Sequence, residues 1–199
     1  MSGLYGHDLS TGQQSLFIED AVGSDRWLTK DLNGSVVLSG THSAYVIAKS
    51  VDPRGRHRLL RFDLHNPSLS WSQEGTYLNA PVTAKGVVYV ARSDPFGVEA
   101  RRESDGALLW AWSEPAPMSA LYEDADAKRE APAGAMALTD SHLFVSSTQR
   151  VYAIDLSTHT AVWQHPRGGD LLISPTGVLY IATGVYVESV GQVVAINLN

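Results

Sequence analysis

An all-β fold of repeated four-stranded antiparallel sheets is what this sequence predicts, and three observations predict it. The first is a hairpin pattern. Val151 to Trp163, VYAIDLSTHTAVW, opens as a strand, with Val151 and Ala153 on one side and Tyr152, Ile154 and Leu156 on the other. Asp155, Ser157 and Thr158 have side chains that bond to nearby backbone N–H groups and so favour a tight reversal, after which Ala161, Val162 and Trp163 start an outgoing strand. The second observation is that this pattern recurs in register. Its reference positions, 8, 63, 102, 155 and 197, are separated by 55, 39, 53 and 42 residues. Spacings near forty match the period of a four-stranded propeller blade, and the longer two imply insertions. The third is a set of short apolar runs. Gly86 to Val90 (GVVYV) has a counterpart in Gly177 to Ile181 (GVLYI) and a looser one in His142 to Val145. Such runs read as second strands, buried on both faces between neighbouring blades. Together they predict a partial, open β-propeller of three full and two partial blades in one domain over residues 1–199.

Taken in order, residues 4–20 read as the last two strands of a blade, Leu4 to Leu9 and Gln13 to Glu19, around the Ser10-Thr11-Gly12 turn. The blade over residues 24–74 takes Arg26 to Thr29 as its first strand, Ser35 to Ser39 as its second, His57 to Leu64 as its third and Ser68 to Ser72 as its fourth. Ala44 to Ala48 either extends that second strand or forms an extra hairpin arm. The blade over 80–114 is the cleanest: Ala80 to Ala84, Gly86 to Arg92, Gly97 to Arg102 and Leu108 to Trp112, with turns at Lys85-Gly86, Asp94 to Gly97 and Ser104 to Gly106. Residues 115–133 form an insertion carrying Pro115, Pro117 and Pro132 and a charged run from Glu123 to Glu130, and loops of this length are functional or mobile. The blade over 134–168 uses Ala135 to Thr139, His142 to Ser147, Arg150 to Leu156 and Ala161 to His165. Leu171 to Ser174, Gly177 to Thr183 and Gln192 to Leu198 begin a fifth unit over 170–199, whose outer strand is not expected.

The repeated motif resembles the tryptophan-docking motif of the quinoprotein (PQQ-like) β-propeller repeat, Ala-x-Asp-x-x-Thr-Gly-x-x-x-Trp. Ala153, Asp155, Thr158 and Trp163 match it, with His159 in place of Gly. Gly106 and Trp110 match in the third copy, where Arg102 and Asp105 replace Asp and Thr. Asp63 and Trp71 match in the second, with Asn66 and Pro67 at the turn. Asp8, Thr11 and Gly12 match in the first, with Leu16 for Trp. The resemblance covers nearly the whole chain and implies that each Trp is structural, packing one blade on the next. The family includes quinoprotein alcohol dehydrogenases and BamB-like outer-membrane assembly lipoproteins. It therefore implies a ring of seven or eight blades, of which this chain is an arc, and a periplasmic or cell-envelope location.

Composition narrows the function. The 199 residues are 44% hydrophobic and 9% aromatic, ordinary for a globular domain with a substantial core. The formal net charge of −6 and pI near 5.6 argue against a nucleic-acid partner, which needs clustered Lys and Arg. The basic run Arg54, Arg56, His57, Arg58 and Arg61 reads as a solvated hairpin insertion. There is no cysteine, hence no disulfide and no thiolate metal site. No apolar h-region follows Met1, so no signal peptide is expected in the sequence as it stands, and no apolar run approaches the length of a membrane span.

Catalytic signatures are sparse. The seven His show no metal-ligand spacing, Gly-x-Ser-x-Gly is missing, and Gly168-Gly169 lacks the Lys and Ser of a phosphate cradle. Asp124 to Lys128 superficially looks like a calcium loop, but Lys128 stands where an acceptor oxygen is needed. No catalytic, cofactor-binding or metal residue is therefore assigned. The expected function is a non-catalytic module that presents strand edges and loops to protein partners, or to the remaining blades of a larger propeller. The alternative is a fragment of a quinoprotein alcohol or glucose dehydrogenase. The resemblance would then imply pyrroloquinoline quinone and calcium, with a Trp on the quinone, acidic and amide calcium ligands and an Asp base.

Overall fold

The computed structural model describes residues 3–19, 36–40, 42–49, 57–115, 134–183 and 191–198. The strands are β1 (Gly3–His7), β2 (Gln14–Glu19), β3 (Val37–Ser39), β4 (Ser43–Lys49), β5 (His57–Asp63), β6 (Ser68–Gly75), β7 (Val82–Ala84), β8 (Val87–Ser93), β9 (Phe96–Arg102) and β10 (Leu108–Ser113). They continue with β11 (Ala137–Leu138), β12 (His142–Ser146), β13 (Val151–Asp155), β14 (Thr160–His165), β15 (Asp170–Ile173), β16 (Val178–Thr183) and β17 (Gln192–Asn197). All pairings are antiparallel. They build a two-stranded sheet β1-β2, three four-stranded blades β3-β4-β5-β6, β7-β8-β9-β10 and β11-β12-β13-β14, and a three-stranded sheet β15-β16-β17. We call these units one to five. Among the described residues the architecture is all-β, a partial propeller of three full and two partial blades.

The apolar runs lie on both sides of a blade because successive strand residues point to opposite faces. On β8, Val88 and Val90 pack with Tyr45, Ile47, Leu59 and Tyr77 at the seam with blade two. The intervening Tyr89 and Ala91 pack with Leu143, Val145, Tyr152 and Ile154 at the seam with blade four. β12 repeats this division: Phe144 joins Ala153, Leu179 and Ile181 at the seam with unit five. The core is therefore a series of seams, each filled by alternate residues of two sheets. Each buried Val, Leu or Ile contributes about 1.5–3 kcal/mol.

Blade two differs from its expected layout. Ser43–Lys49 is the second strand, pairing with both neighbours, and Val37–Ser39 is the short first strand. The reason is burial: Ala44 to Ala48 are all buried, as a central strand requires, whereas Leu38 is 64% exposed. The expected strand Arg26 to Thr29, the Arg54 and Arg56 part of the basic run, and the Asp124 to Lys128 segment lie outside the described residues. Among the described residues no helix is long and apolar enough to cross a membrane.

Candidate functional site

The motif residues gather at the turns between third and fourth strands. At the β13–β14 turn the Asp155 carboxylate accepts hydrogen bonds from the Ser157 N–H at 2.8 Å, the Thr158 N–H at 2.9 Å and the Ser157 hydroxyl at 2.6 Å. These donors, the Ser157 hydroxyl foremost, hold its pKa down to about 2. Asp8 makes the same set with Ser10 and Thr11, and its pKa is likewise lowered. Thr11 in turn accepts from the Gln13 N–H at 3.3 Å. Asp63 accepts from the backbone N–H groups of His65 and Asn66, which lower its pKa. In blade three, where Arg102 replaces the Asp, Asp105 takes the part, accepting from the Ala107 N–H at 3.0 Å and pairing with Arg102 at 2.8 Å.

The fifth residue of each such turn adopts a left-handed backbone conformation where it can. Gly12, Gly106 and His159 have φ of 68°, 74° and 58°. Each donates its N–H to the carbonyl of the residue four positions earlier. Blade two has Pro67 at this place, which has no N–H to donate.

Two of these turns receive an indole from the preceding blade. The ring of Trp71 lies so close to Gly106 that a Cβ there would stand 2.9 Å from two of its carbons, and its N–H donates to the Glu103 carbonyl at 3.0 Å. One seam further, Trp110 stacks on His159, with centroids 4.6 Å apart and planes 15° apart. Trp163 lies on the outer strand of blade four, 37% exposed, and meets only His165 among the described rings, at 6.1 Å.

Register explains why these Trp side chains aim at a seam. Tyr45, Arg61 and Trp71 lie in one row across β4, β5 and β6. Tyr89, Ala100 and Trp110 lie in the corresponding row of blade three, and Phe144, Ala153 and Trp163 in that of blade four. The Tyr and Trp rings of the first two rows approach to 5.9 Å. Ala100 and Ala153 keep the middle of the row narrow. One residue before each Trp position the register slips, leaving Ser15, Ser70, Leu109 and Val162 as bulge residues. A bulge twists the strand and re-aims the side chain beside it. Sequence reasoning missed these bulges, although an eight-residue interval from Asp to Trp is one residue too long for an even ladder around this turn.

Two further groups escaped the motif. Trp112 is buried and packs edge-on to Phe96 at 6.3 Å and against Tyr152 at 5.1 Å, inside the seam between blades three and four. At the preceding seam, the buried Tyr77 donates to Glu99 at 2.8 Å, and Arg101 pairs with the same carboxylate at 2.7 Å. Burial first, and then this acceptor, raise the Tyr77 pKa. Glu114 closes the next seam by accepting from Tyr152 and pairing with Arg150 at 3.4 Å.

No three His, Asp or Glu side chains among the described residues converge to hold a metal ion. Trp71 and Trp110 are committed to turns, and Trp112 to the core. His42 and His65 meet edge to face at 5.5 Å, as a pair without a third ligand.

No family model matches the chain. No curated protein matches it by sequence. Among solved structures it is similar to BamB from Moraxella catarrhalis, at 15% identity and TM-score 0.63, over 99% of this chain and 59% of that one. It is also similar to the quinohemoprotein alcohol dehydrogenase of Comamonas testosteroni, at 15% identity and TM-score 0.58, over 98% of this chain and 40% of the other. A third likeness is to a quinohemoprotein alcohol dehydrogenase from Pseudomonas putida HK5, at 14% identity and TM-score 0.59, over 76% and 28%. The chain thus spans less than two thirds of each. These likenesses show the fold, that of the PQQ-like β-propellers.

Proposed function

We propose that this chain is a non-catalytic propeller module that offers its outer strands and connecting loops to protein partners, as the resemblance to BamB-like scaffolds implies. The observation that carries this reading is the character of β10 and β14. Each is the last strand of its blade, and Leu108, Leu109 and Val162 on them are 53%, 42% and 56% exposed. A free backbone edge with apolar side chains beside it is the surface to which an extended segment of another protein adds as a further strand. The ionisable groups support the same reading: Glu99, Arg101, Glu114 and the turn aspartates are occupied in holding blades and turns together. The periplasm or cell envelope is the location the resemblance implies. We further propose that Asp8, Thr11, Gly12, Asp63, Trp71, Gly106, Trp110, Ala153, Asp155, Thr158 and Trp163 act as structural docking residues.

The alternative, part of a quinoprotein dehydrogenase, rests on the likeness of the fold to two quinohemoprotein alcohol dehydrogenases. The two readings separate on one experiment. Purified protein is incubated with pyrroloquinoline quinone and calcium, then assayed for quinone binding by fluorescence and for dye-linked oxidation of alcohols and glucose. The scaffold reading expects neither signal, and saturable tight binding of the quinone would overturn it.

A further inference from the structure

Two positions of the repeat that are small or apolar in the other copies carry charge at one seam. Two residues before the reference position stand Gly6, Ala100, Ala153 and Ala195, but Arg61 in blade two. One residue after it stand Leu9, Leu64, Leu156 and Leu198, but Glu103 in blade three. The small position faces the following blade, as Ala100 does in the seam with blade four, and the Leu position faces the preceding one, as Leu156 does in that same seam. Arg61 and Glu103 therefore enter the seam between blades two and three from opposite sides. Trp71 fixes the Glu103 backbone there through its bond to the carbonyl. Tyr45 lies directly across the ladder from Arg61 and is fully buried. Arg61 donates from Nη2 to the Ser43 hydroxyl at 2.8 Å, but its Nε and the Tyr45 hydroxyl are buried with no hydrogen-bond partner among the described residues. Burial first, and then the Glu103 carboxylate, raise the Tyr45 pKa, while Arg61 lowers it, so both charges act on that hydroxyl.

We propose that a buried water molecule joins Tyr45 Oη, Arg61 Nε and the Glu103 carboxylate, and that this water-bridged ion pair marks blades two and three as each other's neighbours. The site offers two donors, an O–H and a charged N–H, and one acceptor. A water accepts from both donors and donates to the carboxylate, the three bonds usual for a buried water. A halide would accept from the same two donors, but it would lie against the Glu103 carboxylate. Glu103 is only half-buried, which leaves solvent an entry to the seam. The pair distinguishes this seam because the other hairpins carry a small residue and a Leu at these places. Any of them docked here would leave one charge without its counterpart, and such a mismatch is costly where the matched pair is close to neutral. The inference stands on the seam geometry and does not depend on the scaffold role.

Two measurements on the full chain test it. In a crystal structure, an ordered water is expected within hydrogen-bonding distance of all three groups. A direct Arg61–Glu103 contact that leaves no room for it, or an anomalous peak at the site in bromide-soaked crystals, would overturn the proposal. Urea denaturation of Arg61→Ala, Glu103→Leu and the double variant reads the coupling. Each single change is expected to lower the folded-to-unfolded ratio about 10-fold, because it leaves the remaining half-buried charge unpaired. The bond from Trp71 goes to the backbone and survives Glu103→Leu. The double variant carries the residues of the other seams at both places and is expected to be no less stable than either single one. Losses that multiply instead, to about 100-fold in the double variant, would refute the pairing. A single variant that fails to fold while the double variant folds supports it, and a double variant that also fails to fold counts against it.

Discussion

Replacing Gly106 with Ala tests the seam between blades two and three directly. The residue has φ +74°, a conformation that costs a side-chain-bearing residue about 1–2 kcal/mol. The new Cβ would stand 2.9 Å from two carbons of the Trp71 ring. Carbon atoms settle at about 3.5–4.0 Å, so the indole must withdraw. Its N–H then leaves the Glu103 carbonyl, now 3.0 Å away, at a cost of about 1 kcal/mol. The expected loss is about 2–4 kcal/mol, read in urea as a lower midpoint at unchanged slope. In a Trp71→Ala background only the backbone cost remains, so the two sites should couple by about 1–2 kcal/mol. A Gly106→Ala cost that is the same in both backgrounds would refute the reasoning. The reciprocal change, His159→Gly, relieves the left-handed strain and gives up a ring stack of about 0.5–1.5 kcal/mol. Its net effect should therefore be small.

Glu99→Ala should cost about 3–5 kcal/mol, because it removes the counter-charge of Arg101, whose side chain is 11% exposed and keeps only the Gly106 carbonyl among its described partners, and leaves the buried Tyr77 hydroxyl without its acceptor. Chemical denaturation measures this, and a loss below about 1 kcal/mol would contradict the network. The Asp155 turn should weaken in acid. Its folded pKa, about 2, lies below the ordinary aspartate value of 3.8, so its contribution is present above 3.8 and is lost as pH falls towards 2. Asp155→Asn should flatten the melting temperature over that window relative to wild type, and parallel curves would rule the turn out as a source of acid sensitivity.

The sequence made some of this arrangement legible because it is local. An Asp that binds N–H groups two and three residues ahead leaves a signature within a few positions, and so does a Trp eight residues on. Buried second strands such as Val88 to Ala91 are legible because both faces must be apolar. Blade two was misassigned for the opposite reason. Val37–Ser39 and Ser43–Lys49 are both apolar, and only pairing on one side or on two tells an inner strand from a central one. The Glu99, Arg101 and Tyr77 cluster was invisible because Tyr77 is 22 residues from Glu99 and reaches it from the preceding connection. Trp112 was hidden by its neighbour: two indoles two apart on one strand share a face, yet one meets a turn and the other the core.

Alternate side chains of each interior sheet feed separate seams, and this has a mechanical consequence. Each sheet is glued only to its immediate neighbours, so stability adds up along the chain as in a one-dimensional lattice. Blade three has described partners on both faces, whereas unit five has one. Amide exchange should therefore be faster in β15 to β17 than in β8 and β9. Anything that grips the outer face of unit five should slow exchange there first, and less at each sheet farther in.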